Sequence, residues 1–221
     1  MSRTWVIVPM FNEASVIASV VHELKAHFRH IVCVDDGSSD ESIALAQAAG
    51  AYVVRHPINL GQGASLQTGM DFALRDPLMS DVVTFDADGQ HGVEDAVGMV
   101  ALLRERGLGA VIGSRFLDKR TQLGRAKRLV LRTAALYTRL STGMALTDAH
   151  NGLRALDRGL VERIHLTQNR MAHASELIEQ VGKLKVSWAE YPTHIVYTDY
   201  SKAKGQSLLN SVNILVELLF K

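Results

Sequence analysis

The residues with the most capacity for chemistry are polar groups that directly follow short apolar runs. "VVTF" (82–85) leads into Asp86-Ala87-Asp88-Gly89-Gln90-His91. In an extended chain, residues i and i+2 project to one side about 6–7 Å apart, so Asp86 and Asp88 can converge on one ligand. Two hard carboxylates suit Mg2+ or Mn2+, ions that take few protein groups and complete their shell with water and substrate phosphate. Gln90 falls on the same parity and offers a neutral oxygen, whereas the imidazole of His91 suits softer metals. The bland alternative is a polar loop of solvated acids. "IVCV" (31–34) leads into Asp35-Asp36-Gly37-Ser38-Ser39-Asp40. At least one of the paired acids there should face a crevice, where it can accept from a base N–H or a ribose hydroxyl, while the other caps a helix. "WVIV" (5–8) leads into Pro9-Met10-Phe11-Asn12-Glu13, and "AVIG" (110–113) into Ser114-Arg115. One such cap would be a turn; four polar strand ends in one chain point to a shared crevice. Asn59-Leu60-Gly61-Gln62-Gly63 is a glycine-rich turn that could lay N–H groups near phosphate. Leu66 stands where a dinucleotide fingerprint needs a third glycine.

The elements that must position these groups read as βαβα. The four apolar runs, with a further strand at 51–56, alternate with helical periods over about 14–28, 40–48, 63–75 and 93–106. Glu13, Asp40 and Glu94 fall at the first turns of these helices. The pattern predicts a mostly parallel sheet covered on both faces, with ligands outside the C-terminal strand ends. Beyond residue 115 the alternation gives way to a basic helical stretch, a strand at 153–156, helices around 157–165 and 174–182, and strands near 185–189 and 193–197. The expected organisation is one α/β domain over 1–205 and an amphipathic helix over 206–221, too short to span a bilayer. In 221 residues with a net charge of +1, nothing calls for nucleic acid. The lone Cys33 lies inside an apolar run, which leaves no disulfide framework. No signal peptide is legible at the N-terminus, so a cytoplasmic protein is expected.

At this point the motifs carry a family resemblance. "VPMFNE", "VDDGSSD", "NLGQGAS", "DADGQH", "GSRF", "TDAHNGLRAL" and "YSKAKGQS", in this order over about residues 4–207, resemble the family 2 glycosyltransferases, and among them the dolichol-phosphate and polyprenyl-phosphate sugar transferases. The resemblance implies a GT-A fold and inverting transfer from a UDP- or GDP-sugar. It implies a nucleotide pocket of Pro9, Phe11, Glu13, Val34 and Asp36, and a divalent ion, Mg2+ or Mn2+, on Asp86, Asp88 and Gln90. Ala87 would line the donor site, Arg115 would contact phosphate, and Lys202 would lie near the diphosphate. The chain departs from the family pattern at Gly89, at Leu153 and at "DYSK" (199–202).

The acceptor is expected to be a polyprenyl or dolichyl phosphate, whose oxygen is already anionic, or a glycan hydroxyl, which would need a general base. Glu176 is the candidate base and Asp148 the runner-up, with Asn151 and Arg154 as structural members of the same motif. Lys119, Arg120, Arg125, Lys127, Arg128 and Arg132, interleaved with leucines, could face an anionic membrane at the cytoplasmic side; the alternative is a solvated helix face. The terminal helix could lie on a membrane, or pack on the core or on a second copy in a homodimer. Two other classes compete, a metal-dependent phosphohydrolase and a non-catalytic nucleotide-sugar-binding module.

Overall fold

Period-two alternation along the strands sorts the core into two layers. The computed structural model describes residues 1–118, 139, 142–148 and 151–196. The basic stretch at 119–132, Lys202 and the 206–221 segment lie outside the described residues. Val6, Val8 and Met10 of β1 (Thr4–Met10) face one layer with Ile31 and Cys33 of β2 (His30–Asp35), and Val83 of β4 (Asp81–Thr84) joins them. Trp5, Ile7, Val32, Val34 and Val82 face the other. Helices α1 (Ile17–Lys25), α2 (Ser42–Ala48) and α4 (Val93–Glu105) cover the first layer. Helices α3 (Gln62–Leu74), α5 (Arg158–Val161) and α6 (His173–Lys183) cover the second. The buried positions of α1, Ile17, Val20, Val21 and Leu24, follow the i, i+3, i+4, i+7 stripe of a helix with one dry face. Helix α3 lies so close beneath β1 that a Cβ on Gly69 would sit 2.2 Å from Ile7 Cγ2.

The strand order is β3-β2-β1-β4-β6-β5-β7, with β3 at Tyr52–Arg55, β5 at Ala110–Ser114, β6 at Arg154–Asp157 and β7 at Trp188–Pro192. The chain steps outward from β1 to β3, and α3 then carries it back across β1 to β4. That reversal makes the gap between the C-terminal ends of β1 and β4 the topological switch point, where open α/β sheets take their ligands. Strand β6 runs antiparallel between β4 and β5, and the other pairings are parallel.

Three expectations are corrected. The first helix starts at Ile17, three residues late, because Glu13 N and Ala14 N are held by the side chains of Ser42 and Asp40. The helix expected over 157–165 is the single turn α5, capped by Asp157, whose carboxylate accepts from Leu160 N at 2.8 Å. The strands expected near 185–189 and 193–197 are one strand, β7, that straddles the gap between them. Lys185 at φ 51 closes α6 and delays the strand, and Pro192 is tolerated because β7 is an edge.

Candidate active site

Asp86 follows β4 at the switch point and is held from three sides. Gln62, the first residue of α3, donates its Nε2 to Oδ1 at 2.9 Å, and His91 Nε2 lies 2.9 Å from Oδ2. The third side is Gly152, where a Cβ would stand 2.3 Å from Oδ2. Burial raises the Asp86 carboxyl, but the hydrogen bond and charge of His91, with Arg154 and His173 behind them, outweigh that and hold it below the usual carboxylate range. Asp88 is its opposite. Burial first, and then the negative charge of Asp86, push it up to about 6, and Gln90 N at 3.1 Å offsets only part of the rise.

This unequal pair fits a divalent cation. The donor set is hard oxygen, and a positive charge would relieve the repulsion that raises Asp88. Gln90 is buried, and its Nε2 has no hydrogen-bond partner among the described residues. Among the described residues no three His, Cys, Asp or Glu side chains are arranged so that they could hold a metal ion by themselves. Mg2+ or Mn2+ bound beside a diphosphate does not require a third.

On the far side of β6, Arg115 follows β5 and donates both its backbone N and Nε to Asp148 Oδ2. The loop that carries Asp148 is tied down by Glu190 of β7, which accepts from Thr147 N at 2.7 Å and Asp148 N at 3.2 Å. Burial raises the Glu190 carboxyl despite these bonds. Ser114 Oγ lies 2.6 Å from Thr147 Oγ1, and Gly113 N donates to Leu153 O at 3.0 Å. Asn151 bonds Thr193 Oγ1 through Nδ2 and accepts from Leu153 N, which is the structural role its motif suggested.

The β1 and β2 side departs further from the sequence reading. Phe11 is 41% exposed at the crevice, Pro9 is half-buried, and Glu13 is buried with its charge felt at Asp88. Val34 is wholly buried in the α3-side layer and Ala87 in the opposite one, so neither side chain lines the crevice. Asp36 is committed to the fold: His56 Nδ1 lies 2.9 Å from its Oδ1, Leu60 N donates there at 2.9 Å, and Gly61 N donates to Oδ2 at 2.7 Å. The glycine-rich turn therefore spends its amides internally. Gly63 N and Ala64 N donate to Asn169 O, so the turn is not a phosphate cradle.

Glu176 is also committed. Its carboxylate accepts from Thr167 N and Oγ1 and from Gln168 N, at 2.6 to 3.1 Å. The expected general base is thus the clasp of the loop that caps α3. Sequence reasoning missed Gln62 and His173. Gln62 lay inside a motif read only for its glycines. His173 carries no sequence signal, yet burial first and then Arg154 push it down to about 4, which leaves it neutral.

A sequence profile described as Glycosyl transferase family 2 matches residues 5–165. An uncharacterized protein of Methanocaldococcus jannaschii is 34% identical over 98% of this chain and 91% of its own length. The UDP-N-acetylglucosamine–dolichyl-phosphate N-acetylglucosaminyltransferase of Methanococcus voltae is 28% identical over 97% of this chain and 94% of its own. Among solved structures, glucosyl-3-phosphoglycerate synthase of Mycobacterium tuberculosis, in complex with Mn2+, UDP and phosphoglyceric acid, superposes with a TM-score of 0.72. It is 19% identical and aligns over 98% of this chain and 77% of that one. This likeness shows the fold, the GT-A arrangement that the motifs implied.

Proposed function

From the membership of this chain in the family 2 glycosyltransferases, we propose that it transfers a sugar from a UDP- or GDP-sugar to the phosphate of a polyprenyl-type lipid, with inversion at the anomeric carbon. The observation that carries the acceptor is the state of the two candidate bases. Glu176 is held by the 167–168 loop, and Asp148 is buried with one of its oxygens taken by Arg115. A hydroxyl acceptor would need one of them free to take a proton, whereas a phosphate monoester arrives with an anionic oxygen. The Methanococcus voltae relative, named for a dolichyl-phosphate acceptor, supports the same choice.

Asp86 and Asp88, with Gln90 beside them, would hold Mg2+ or Mn2+. Bound there, the ion would supply Lewis-acid stabilisation of the leaving diphosphate. The protein's own part is positional. Gln62 and His91 fix both oxygens of Asp86, so this acid needs no reorganisation when the donor binds. Arg115, held by Asp148, would contact phosphate. Pro9, Phe11 and Glu13 bound the nucleoside side of the crevice, with Lys202 assigned to the diphosphate. Contact with an anionic membrane through the basic 119–132 stretch or residues 206–221 belongs to the same reading.

The test is a donor screen by mass spectrometry with UDP-glucose, UDP-galactose, UDP-N-acetylglucosamine and GDP-mannose, with Mn2+ or EDTA, and with or without a polyprenyl phosphate. Metal-dependent release of one nucleoside diphosphate, matched by sugar on the lipid phosphate, is expected. Turnover without lipid product would move the acceptor to a hydroxyl compound. Absence of any donor binding would sink the transferase reading.

A further inference from the structure

The largest fully buried side chain among the described residues is a guanidinium, that of Arg154, 1% exposed. In register it pairs with Thr84 on one side and Ile112 on the other. It therefore lies between the strand that ends in the acid pair and the strand that ends in Arg115. Its neighbours Leu153 and Ala155 pack into the α1-side layer, so Arg154 projects to the opposite face, the face of Gln62 and His173. Its Nε and Nη1 have no hydrogen-bond partner among the described residues, and neither does Asp148 Oδ1.

A guanidinium buried without a full set of hydrogen bonds is tolerated only where nearby acids balance its charge. The acids here are Asp86 and Asp148. They offset part of the burial that brings Arg154 down to about 10, and it stays protonated under assay conditions. The neutral His173 adds no competing charge. The signs then alternate across three strand ends: Asp86 negative, Arg154 positive, Asp148 negative, Arg115 positive.

We propose that Arg154 is a positioning residue for the transfer site, a buried cation that fixes Asp86 on one side and, through Asp148, Arg115 on the other. The link to catalysis rests on the donor roles proposed above for Asp86 and Arg115. The link to the two acids does not.

The experiment is a pair of double-mutant cycles in metal-free, donor-free protein. Urea midpoints are measured for Arg154→Met, Asp86→Asn and Asp148→Asn, and for the two double variants that contain Arg154→Met. The expected result is that each double variant unfolds at a clearly higher urea concentration than the summed single effects require. Additive effects in both cycles overturn the proposal. If Arg154→Met does not fold alone, recovery of folding in a double variant is the expected coupling, and failure of both doubles overturns it. Arg154→Lys supplies the functional readout. It keeps the charge and should recover most of the kcat lost in Arg154→Met, leaving a deficit of roughly tenfold from the lost planar fork, with donor KM within about threefold of wild type. Equal loss of kcat in Arg154→Lys and Arg154→Met would make the role packing alone. A wild-type chain that turns over no donor would sink the functional reading and leave the cycles to decide the coupling.

Discussion

Replacing Glu176 by Gln separates a catalytic from a structural carboxylate. In the structure, Oε1 accepts from Thr167 N and Oγ1, and Oε2 accepts from Thr167 N and Gln168 N. Glutamine keeps one carbonyl oxygen and turns the other position into an NH2 that faces N–H donors. With its carbonyl at the Oε2 position the amide keeps the bonds from Thr167 N and Gln168 N, and its NH2 donates to Thr167 Oγ1, so the three remaining bonds lose their charge assistance. Hydrogen bonds to a charged acceptor contribute about 1.5–3 kcal/mol each and neutral ones about 0.5–1.5 kcal/mol, a loss of roughly 1 kcal/mol per bond. The net cost of Glu176→Gln should therefore be about 3 kcal/mol, discounted for the water that a loosened loop admits. For a chain of this length that lowers Tm by about 6–12 °C. At a temperature where the variant remains folded, kcat with a polyprenyl-phosphate acceptor should stay within about threefold of wild type, since loss of a true general base costs about 10²–10⁴. Calorimetry and initial rates on the same preparations make the comparison. An unchanged Tm with a hundredfold loss of kcat would refute the clasp and restore Glu176 as the base.

Four further outcomes follow from the same geometry. Asp88, raised to about 6 by burial and by Asp86, must ionise to hold a cation, so Mn2+ affinity should rise with pH through about 6, as electron paramagnetic resonance titrations would show. Because its folded pKa lies above the unfolded value, the stability Asp88 contributes is present at low pH and lost as pH rises from 3.8 through about 6; Asp88→Asn should flatten that part of the stability profile. His173, lowered to about 4 chiefly by burial and then by Arg154, works in the opposite sense. Its contribution is present above 6.5 and lost as pH falls toward 4, so His173→Gln should lessen the loss of stability seen in urea denaturation at acid pH. Gly63→Ala should destabilise markedly and lower activity, because the added Cβ would meet Gln168 O at 2.0 Å and displace Gln62 from Asp86; a circular-dichroism melt like that of wild type would count against this packing.

The apolar runs of β1, β2, β4 and β5 and the helices between them were legible in the sequence because burial on both faces demands unbroken β-branched strands. Asp86 and Asp88 were legible for a related reason: acids directly after such a run have few places to go except the crevice. The orientation of β6 was not, since an apolar run carries no arrow. The division of labour between Asp35 and Asp36 depends on which face of the sheet each one meets. Asp36 shares parity with Val34 on the α3 side, where the 60–61 amides wait for it. Asp35 turns the other way and closes its own loop by accepting from Ser38 N at 3.2 Å. Glu176 and Arg154 were read from their neighbours in sequence, while the donors to Glu176 come from a preceding loop and the acids around Arg154 from the end of β4 and the loop that carries Asp148.

The sheet is left after Ser114 and rejoined at Arg154, and the two margins of that excursion are stitched together by Gly113 with Leu153 and by Ser114 with Thr147. A detour anchored at both ends has its closure entropy fixed by the anchors and only weakly by its length. Residues can therefore be added or removed inside it at small closure cost, provided that Arg115, the buried Met144 and Leu146, Asp148 and Asn151 keep their places. On the proposed reading, that makes it the place to splice in a different acceptor specificity while the donor edge is kept.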